Sequence, residues 1–147
     1  MAGILPSAKT YSADAWTFNF AGVPIETGKG KDEFLKIEQK DDDFTYTQGI
    51  DGEGVFNQVL NTYTKVTLTL LQTSSGNGVL SAIHIASKLT PGGQPAPLFI
   101  KDRLGTSTVV SSAAMILKMP DESVALEAGV VTWEFGLHSP VRYVGSH

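Results

Sequence analysis

Residues 63–91 read YTKVTLTLLQTSSGNGVLSAIHIASKLTP, a strand, a turn and a helix in one continuous run. Thr64, Val66, Leu68 and Leu70 alternate with Lys65, Thr67 and Thr69, the two-residue period of a half-buried strand rich in β-branched side chains. Ser74, Ser75 and Asn77 then offer caps for a helix start, and Leu80, Ile83, Ala86 and Leu89, with Val79 beside them, recur on one helical stripe. The pattern predicts a helix laid against a sheet.

Upstream, residues 15–22 alternate Trp16, Phe18 and Phe20 against Ala15, Thr17, Asn19 and Ala21, which predicts a strand. Val23-Pro24-Ile25 extends it only at an edge or past a bend, because proline has no N–H for a ladder. Residues 33–40 predict another strand, with Leu35 and Ile37 facing away from Lys36, Glu38 and Lys40. The Asp41-Asp42-Asp43 turn leads on to Phe44-Thr45-Tyr46-Thr47, so 33–47 reads as a hairpin with one charged, hydroxylated face. Residues 49–62 have three glycines and little alternation, and read as a long loop with a short helical turn near 56–60. Residues 1–13 carry Pro6 and no periodicity, and read as an N-terminal arm.

Downstream, residues 91–97 form a stiff Pro/Gly linker, 98–103 a strand, and Leu104-Gly105-Thr106 a tight return. Residues 108–119 are apolar, small and hydroxylated, as if buried on both sides, until Pro120-Asp121 breaks them. Over 130–137, Val131, Trp133, Phe135 and Leu137 face inward, and Arg142-Tyr143-Val144 makes a short last strand. About seven to nine strands with one helix and no internal repeat predict a mainly β fold: an antiparallel β-sandwich or partly closed barrel with one flanking α-helix.

A chain of 147 residues fits one domain spanning 1–147, which on folding removes about 68–70% of its surface from water. Without cysteine there are no disulfides and no thiolate metal sites. The N-terminus has neither the charged region nor the apolar run of a signal peptide, and no stretch approaches eighteen apolar residues, so no membrane insertion is expected. The net charge of −4 argues against a dedicated nucleic-acid binder. Residues 26–53 hold nine carboxylates against four lysines, a net of −5, which leaves the remainder at +1. The acidity is local.

Nothing in the chain spells catalysis. His84, His138 and Asp102 with the many serines resemble a triad only in composition, since no nucleophile elbow or oxyanion loop accompanies any serine. Asp41-Asp42-Asp43 lacks the glycine and terminal glutamate of a calcium loop, and Gly76-Asn77-Gly78 is a turn with a helix cap rather than a phosphate cradle. No cofactor, metal or catalytic residue is expected. Trp16, Trp133, Tyr46 and Tyr63 raise a carbohydrate-binding sandwich as the alternative reading, although both tryptophans fall on apolar faces and no two aromatics are expected on an exposed one.

Several fragments, in order, carry a likeness. Ile50-Asp51-Gly52-Glu53-Gly54 comes first, then Val66-Thr67-Leu68-Thr69-Leu70-Leu71-Gln72-Thr73-Ser74 running into Asn77 and Leu80-Ser81-Ala82. Pro97-Leu98-Phe99-Ile100-Lys101-Asp102, Trp133-Glu134-Phe135 and Tyr143-Val144-Gly145 complete the set. Over roughly 16–145 the chain resembles the tail tube proteins of contractile-tailed bacteriophages, which share their architecture with the tube of type VI secretion systems. The resemblance implies a structural virion protein whose homo-hexameric rings stack into a hollow tail tube that passes DNA on ejection. It implies a tail sheath, a tape-measure protein, and baseplate and tail-terminator proteins as partners. It implies assembly in the host bacterial cytoplasm and residence in the virion tail. By segment, it implies that Glu38, Lys40, Thr45 and Thr47 face the lumen, and that Tyr11, Asp51, Glu53, Phe56 and Tyr143 meet neighbouring subunits.

Two physical considerations stand beside the resemblance. Open sheet edges present unpaired N–H and C=O groups, and closing a ring of identical copies removes them. A polar bore of net negative charge repels passing phosphates, although the same acids also suit an ordinary solvated surface.

Overall fold

The computed structural model describes residues 15–25, 29 and 34–145, and residues 1–14, which include the expected arm and Tyr11, lie outside it. The strands β1 (Trp16–Phe20), β2 (Val23–Pro24), β3 (Leu35–Gln39), β4 (Phe44–Gln48), β5 (Gly54–Gln58) and β6 (Tyr63–Leu71) precede the helix α1 (Gly76–Leu89). After it come β7 (Ala96–Asp102), β8 (Thr108–Lys118), β9 (Val130–His138) and β10 (Val141–Tyr143). All pairings are antiparallel. The main sheet runs β2-β1-β7-β8-β9-β6-β3, with β10 also on β8, and β4 and β5 form a separate two-stranded sheet.

β6 and β9 are the centre. Their register sets Val66 opposite Phe135, Leu68 opposite Trp133 and Leu70 opposite Val131, all on the buried face. The inward sets expected for both strands are the ones observed. The outward set places Lys65 against Gly136, Thr67 against Glu134 and Thr69 against Thr132.

The sheet curls. β1 and β9 are separated by β7 and β8, which on a flat sheet would hold them roughly 14 Å apart, yet the Phe18 and Phe20 rings lie 5.1 and 5.2 Å from the Phe135 ring. Lys29 helps to draw the two edges together: its backbone bridges Leu70 on β6 while its ammonium donates to the Trp16 carbonyl on β1 at 3.1 Å. One continuous sheet therefore closes over its own core, in keeping with the expected sandwich or partly closed barrel.

α1 packs onto this barrel through Leu80, with Val79 and Ile83 against the core. Gly76 permits the close approach, because a Cβ there would sit 2.8 Å from an Ile25 methyl. Ser75 occupies the N-cap position without a side-chain cap bond, and the neighbouring Ser74 hydroxyl accepts the Gly76 N–H instead. Asn77 donates to the Leu71 carbonyl at 2.9 Å and accepts from the Trp133 indole at 3.0 Å, joining the first helical turn to β6 and β9. Of the expected stripe, Ala86 and Leu89 prove exposed, Leu89 at 81%.

Three other expectations need correction. β3 does not pair with β4: it pairs with β6, which takes Leu35 and Ile37 to the core, while β4 pairs with β5. Residues 54–58 are therefore a strand, not loop or helical turn. β8 is buried on one face only. A bulge between its pairings with Leu98 and Ala96 switches the inward set from Val109 and Ser111 to Ala114 and Ile116, and this change of parity gave the segment its two-sided look.

Ala21 and Gly22 join β1 to β2 with φ of 54° and 81°, the left-handed pair of a type I′ hairpin turn. Alanine is strained there, and Ala21→Asn should raise the unfolding free energy by about 0.5–1 kcal/mol, measured by denaturant titration. In the opposite direction, Leu68→Ala should cost about 2–5 kcal/mol in the same assay, and Leu68→Asp should yield no folded protein.

Candidate functional site

The β4–β5 hairpin has no core beneath it. Every residue from 41 to 58 is exposed, yet the strands carry alternating faces as different as those of a buried sheet. Register places Tyr46 opposite Phe56 and Phe44 opposite Gln58 on one face, with Thr45, Thr47, Val55 and Asn57 on the other. The first face is aromatic: Phe44, Tyr46 and Phe56 are 61%, 55% and 76% exposed, and the Tyr46 and Phe56 rings lie 5.1 Å apart, tilted by 53°. The second is hydroxyl- and amide-bearing, with Asn57 donating to the Thr47 hydroxyl at 3.0 Å. Gly54 leaves room for Tyr46, whose ring and hydroxyl a Cβ at that position would overlap.

The hairpin's ends are shaped by its carboxylates. At the tip, Asp51 accepts the Glu53 N–H at 3.1 Å and Gly52 takes a φ of 89°, which leaves Ile50 projecting fully into solvent. At the root, Asp41 accepts the first N–H of β6, from Tyr63, at 3.1 Å. A cavity of about 330 Å³ lies between the root and the β9–β10 corner, lined by Phe44, Val59, Leu60 and Pro140 among others.

Glu38 and Lys40 belong to a different surface. Glu38 lies on the outward face of β3, opposite Lys65 of β6, and pairs with Lys40 at 2.6 Å and Lys36 at 3.3 Å. Lys65 in turn pairs with Glu134 at 3.0 Å. The Lys40 and then the Lys36 hydrogen bond hold the Glu38 carboxyl below its ordinary value, and Glu134 raises the Lys65 ammonium above its own. Thr45 and Thr47 therefore do not share a hairpin with Glu38 and Lys40: Glu38 lies on β3 of the main sheet, Lys40 in the connection that follows it, and the threonines on the separate β4–β5 sheet. Tyr143, on β10, is 62% exposed beside Val141 at 74%.

The three candidates for a triad lie on three elements with other work. Asp102 is buried and accepts the Leu104 N–H at 3.1 Å in the β7–β8 turn. His84 sits on α1 in a crevice with Phe20, Ser87 and Met115, where burial and then Lys88 lower its pKa, and His138 ends β9. No group of three or more His, Cys, Asp or Glu is placed to hold a metal ion among the described residues. Trp133 is in the core and Trp16 packs against it, as expected. The exposed trio of Phe44, Tyr46 and Phe56 overturns the expectation that no two aromatics share an exposed face. Its signal was present in the alternation of Phe44-Thr45-Tyr46-Thr47, but the second strand is short and follows closely on three glycines.

The aromatic face of the hairpin is exposed to solvent among the described residues. The family model of the bacteriophage PhiTE tail tube protein matches residues 10–140. The chain belongs to that tail tube family. Its backbone also superposes on a cryo-EM structure of the anti-feeding prophage cap, the AFP tube terminating cap, with a TM-score of 0.60 over 97% of this chain and 100% of that one. At 11% identity this likeness is one of fold. No curated protein matches the chain in sequence. A tail tube protein is a structural component of a phage tail.

The charged face of β3 and β6 gives a pH test. A carboxylate whose folded pKa is depressed adds stability that is full above its unfolded value and is lost as pH falls through the folded one. Glu38 starts from an ordinary value of 4.5, so the Glu38→Gln variant should lose less thermal stability than the parent between about pH 6 and pH 3. The difference should be small, because the side chain is 34% exposed and screened.

Proposed function

We propose that copies of this chain close into six-membered rings, and that the rings stack into the hollow inner tube of a contractile tail through which DNA leaves the virion. The observation that carries this reading is the two-faced hairpin, whose aromatic side stays largely exposed among the described residues, Phe56 at 76%. A two-stranded hairpin is at best marginal alone in water, and burying each ring against a sibling contributes roughly 1.5–3 kcal/mol. Both hairpin edges, the outer edge of β3 and the outer edge of β10 are open among the described residues. Ring closure supplies partners for such edges.

In this arrangement Thr45 and Thr47, with Glu38 and Lys40, line the bore. Phe56 packs on a neighbouring copy, Asp51 and Glu53 meet the next subunit at the hairpin tip, Tyr143 lies at a strand edge that a neighbour extends, and Tyr11 reaches a neighbour from the arm. The hydroxyls and balanced ion pairs offer a wet, unselective wall, and the flanking carboxylates disfavour phosphate. The sheath outside, the tape-measure protein inside during assembly, and the baseplate and terminator proteins at the two ends are the partners this reading requires, with assembly in the host cytoplasm.

Negative-stain microscopy of concentrated protein should find rings or hollow rods, and Phe56→Asp should abolish them while leaving the circular dichroism spectrum unchanged. Since the chain has no cysteine, Thr47→Cys in preformed rods should react with a small maleimide and resist a bulky one. Monomers at every concentration, with retarded mobility on a polysaccharide gel, would instead favour a carbohydrate-binding module.

A further inference from the structure

Asn77 stands where β6, β9 and α1 meet, and its side-chain amide is held at both ends. The nitrogen donates to the Leu71 carbonyl at 2.9 Å and to the Gln72 carbonyl at 3.4 Å, while the oxygen accepts the Trp133 indole N–H at 3.0 Å. An indole only donates and a carbonyl only accepts, so the partners fix which way the amide points. Of the chain's four asparagines, Asn77 alone precedes a glycine. Gly78 is exposed, and a Cβ there would meet nothing within 4 Å. An asparagine followed by an unhindered backbone nitrogen is the pair most prone to lose its side-chain amide, one reason the residue counts as thermolabile.

The turn that carries this pair is lightly built. Gly76 and Gly78 bracket Asn77, and glycine gives up more backbone freedom on ordering than any other residue. The N-cap position supplies no side-chain cap bond, and no acidic residue stands in the first turn. One turn further on, Leu80 is fully buried and anchors the rest of the helix.

We propose that Asn77-Gly78 is a site of spontaneous deamidation, gated by local opening of the first turn of α1 while the rest of the helix stays docked. In the closed turn the bonds to Leu71 and Trp133 hold the Asn77 side chain, and the helical backbone keeps the Gly78 nitrogen from reaching its Cγ. In the open turn that nitrogen attacks Cγ and gives up its proton, the bond from Cγ to the side-chain nitrogen breaks, and ammonia leaves. Water then opens the cyclic imide at either carbonyl, to aspartate or isoaspartate, with no change of oxidation state. Neither product restores the closed turn. A carboxylate still accepts the indole N–H but has no N–H for the Leu71 carbonyl. Isoaspartate also adds a methylene to the main chain beside Gly76, which packs tightly against Ile25. The reaction is one-way, and it records how long the helix start has stood open.

The test incubates the full chain in mildly alkaline buffer with increasing guanidinium chloride, and peptide mapping by mass spectrometry follows the loss of the amide at Asn77. The native chain should react at least about tenfold more slowly than the unfolded one, since bonds at both ends of the amide must break first. Below the unfolding midpoint its rate should hardly change with denaturant, because opening one turn exposes little surface. Gly78→Ala, which has room for its methyl, should fold as the parent does and slow the reaction in both states. Asn77→Asp should fold with a lowered melting temperature. Equal rates in the native and unfolded chain would overturn the proposal. So would a native rate that climbs steeply with denaturant, which would assign the reaction to global unfolding. Prolonged incubation without loss of the Asn77 amide in the native chain, or a rate untouched by Gly78→Ala, would overturn it as well.

Discussion

Leu68 and Trp133 stand opposite each other on β6 and β9, both almost fully buried, and most of the architecture is referred to that pair. Because side chains alternate strictly along a strand, this one register decides that Lys65, Thr67, Thr69 and Glu134 point outward. It also sets the Trp133 indole where its N–H reaches Asn77, so the pairing that builds the sheet interior fixes where the helix begins. Asn77 satisfies a buried indole and ties the Leu71 carbonyl at the end of β6, two polar groups that would otherwise cost free energy in the core. Shifting the ladder by one residue would expose the core set and strand the indole.

Curvature follows from local irregularities. The bulge in β8 lies across from the point where β9 gives way to β10, and the pairings with β8 keep the same register on either side of that break. Ser139 there takes a φ of 43°, and buried Ser111 mends the gap: its hydroxyl accepts the Ala113 N–H and lies 3.3 Å from the His138 carbonyl. β9 and β10 are thus one long strand bent at Ser139-Pro140. With β6 ended at Tyr63, the outer edge of β10 is left open beside the hairpin root.

Strands whose alternation is unbroken were legible: the inward sets of β1, β6 and β9 read directly from period two, and the helix from the spacing of Val79, Leu80 and Ile83. Three things were not. Parity along β8 is broken by an inserted residue, so a one-faced strand looks two-faced. The partner of β3 is not a local property, since Ile37 alternates equally well beside β4 or β6, and only the need to bury it selects β6. Residues 54–58 hide because both faces of the hairpin are exposed, so no core imposes an inward set on them. The exposed half of the helical stripe misled for a related reason, as Leu89 is apolar without being inside.

Exposed apolar groups on this scale invite indiscriminate association, and the placement of charge answers that hazard. Asp41, Asp42 and Asp43 stand at the hairpin root and Asp51 and Glu53 at its tip, so the aromatic face is bracketed by carboxylates at both ends. Two hairpins pairing edge to edge in antiparallel register would set root against tip and bring like charges together, which disfavours that dimer. In the proposed head-to-tail contact the hairpin would instead meet a barrel edge, where β3 carries Lys36 with Glu38 and Lys40 follows. The charge pattern therefore admits a heterologous contact and discourages an isologous one, and heterologous contacts are the kind that rings require.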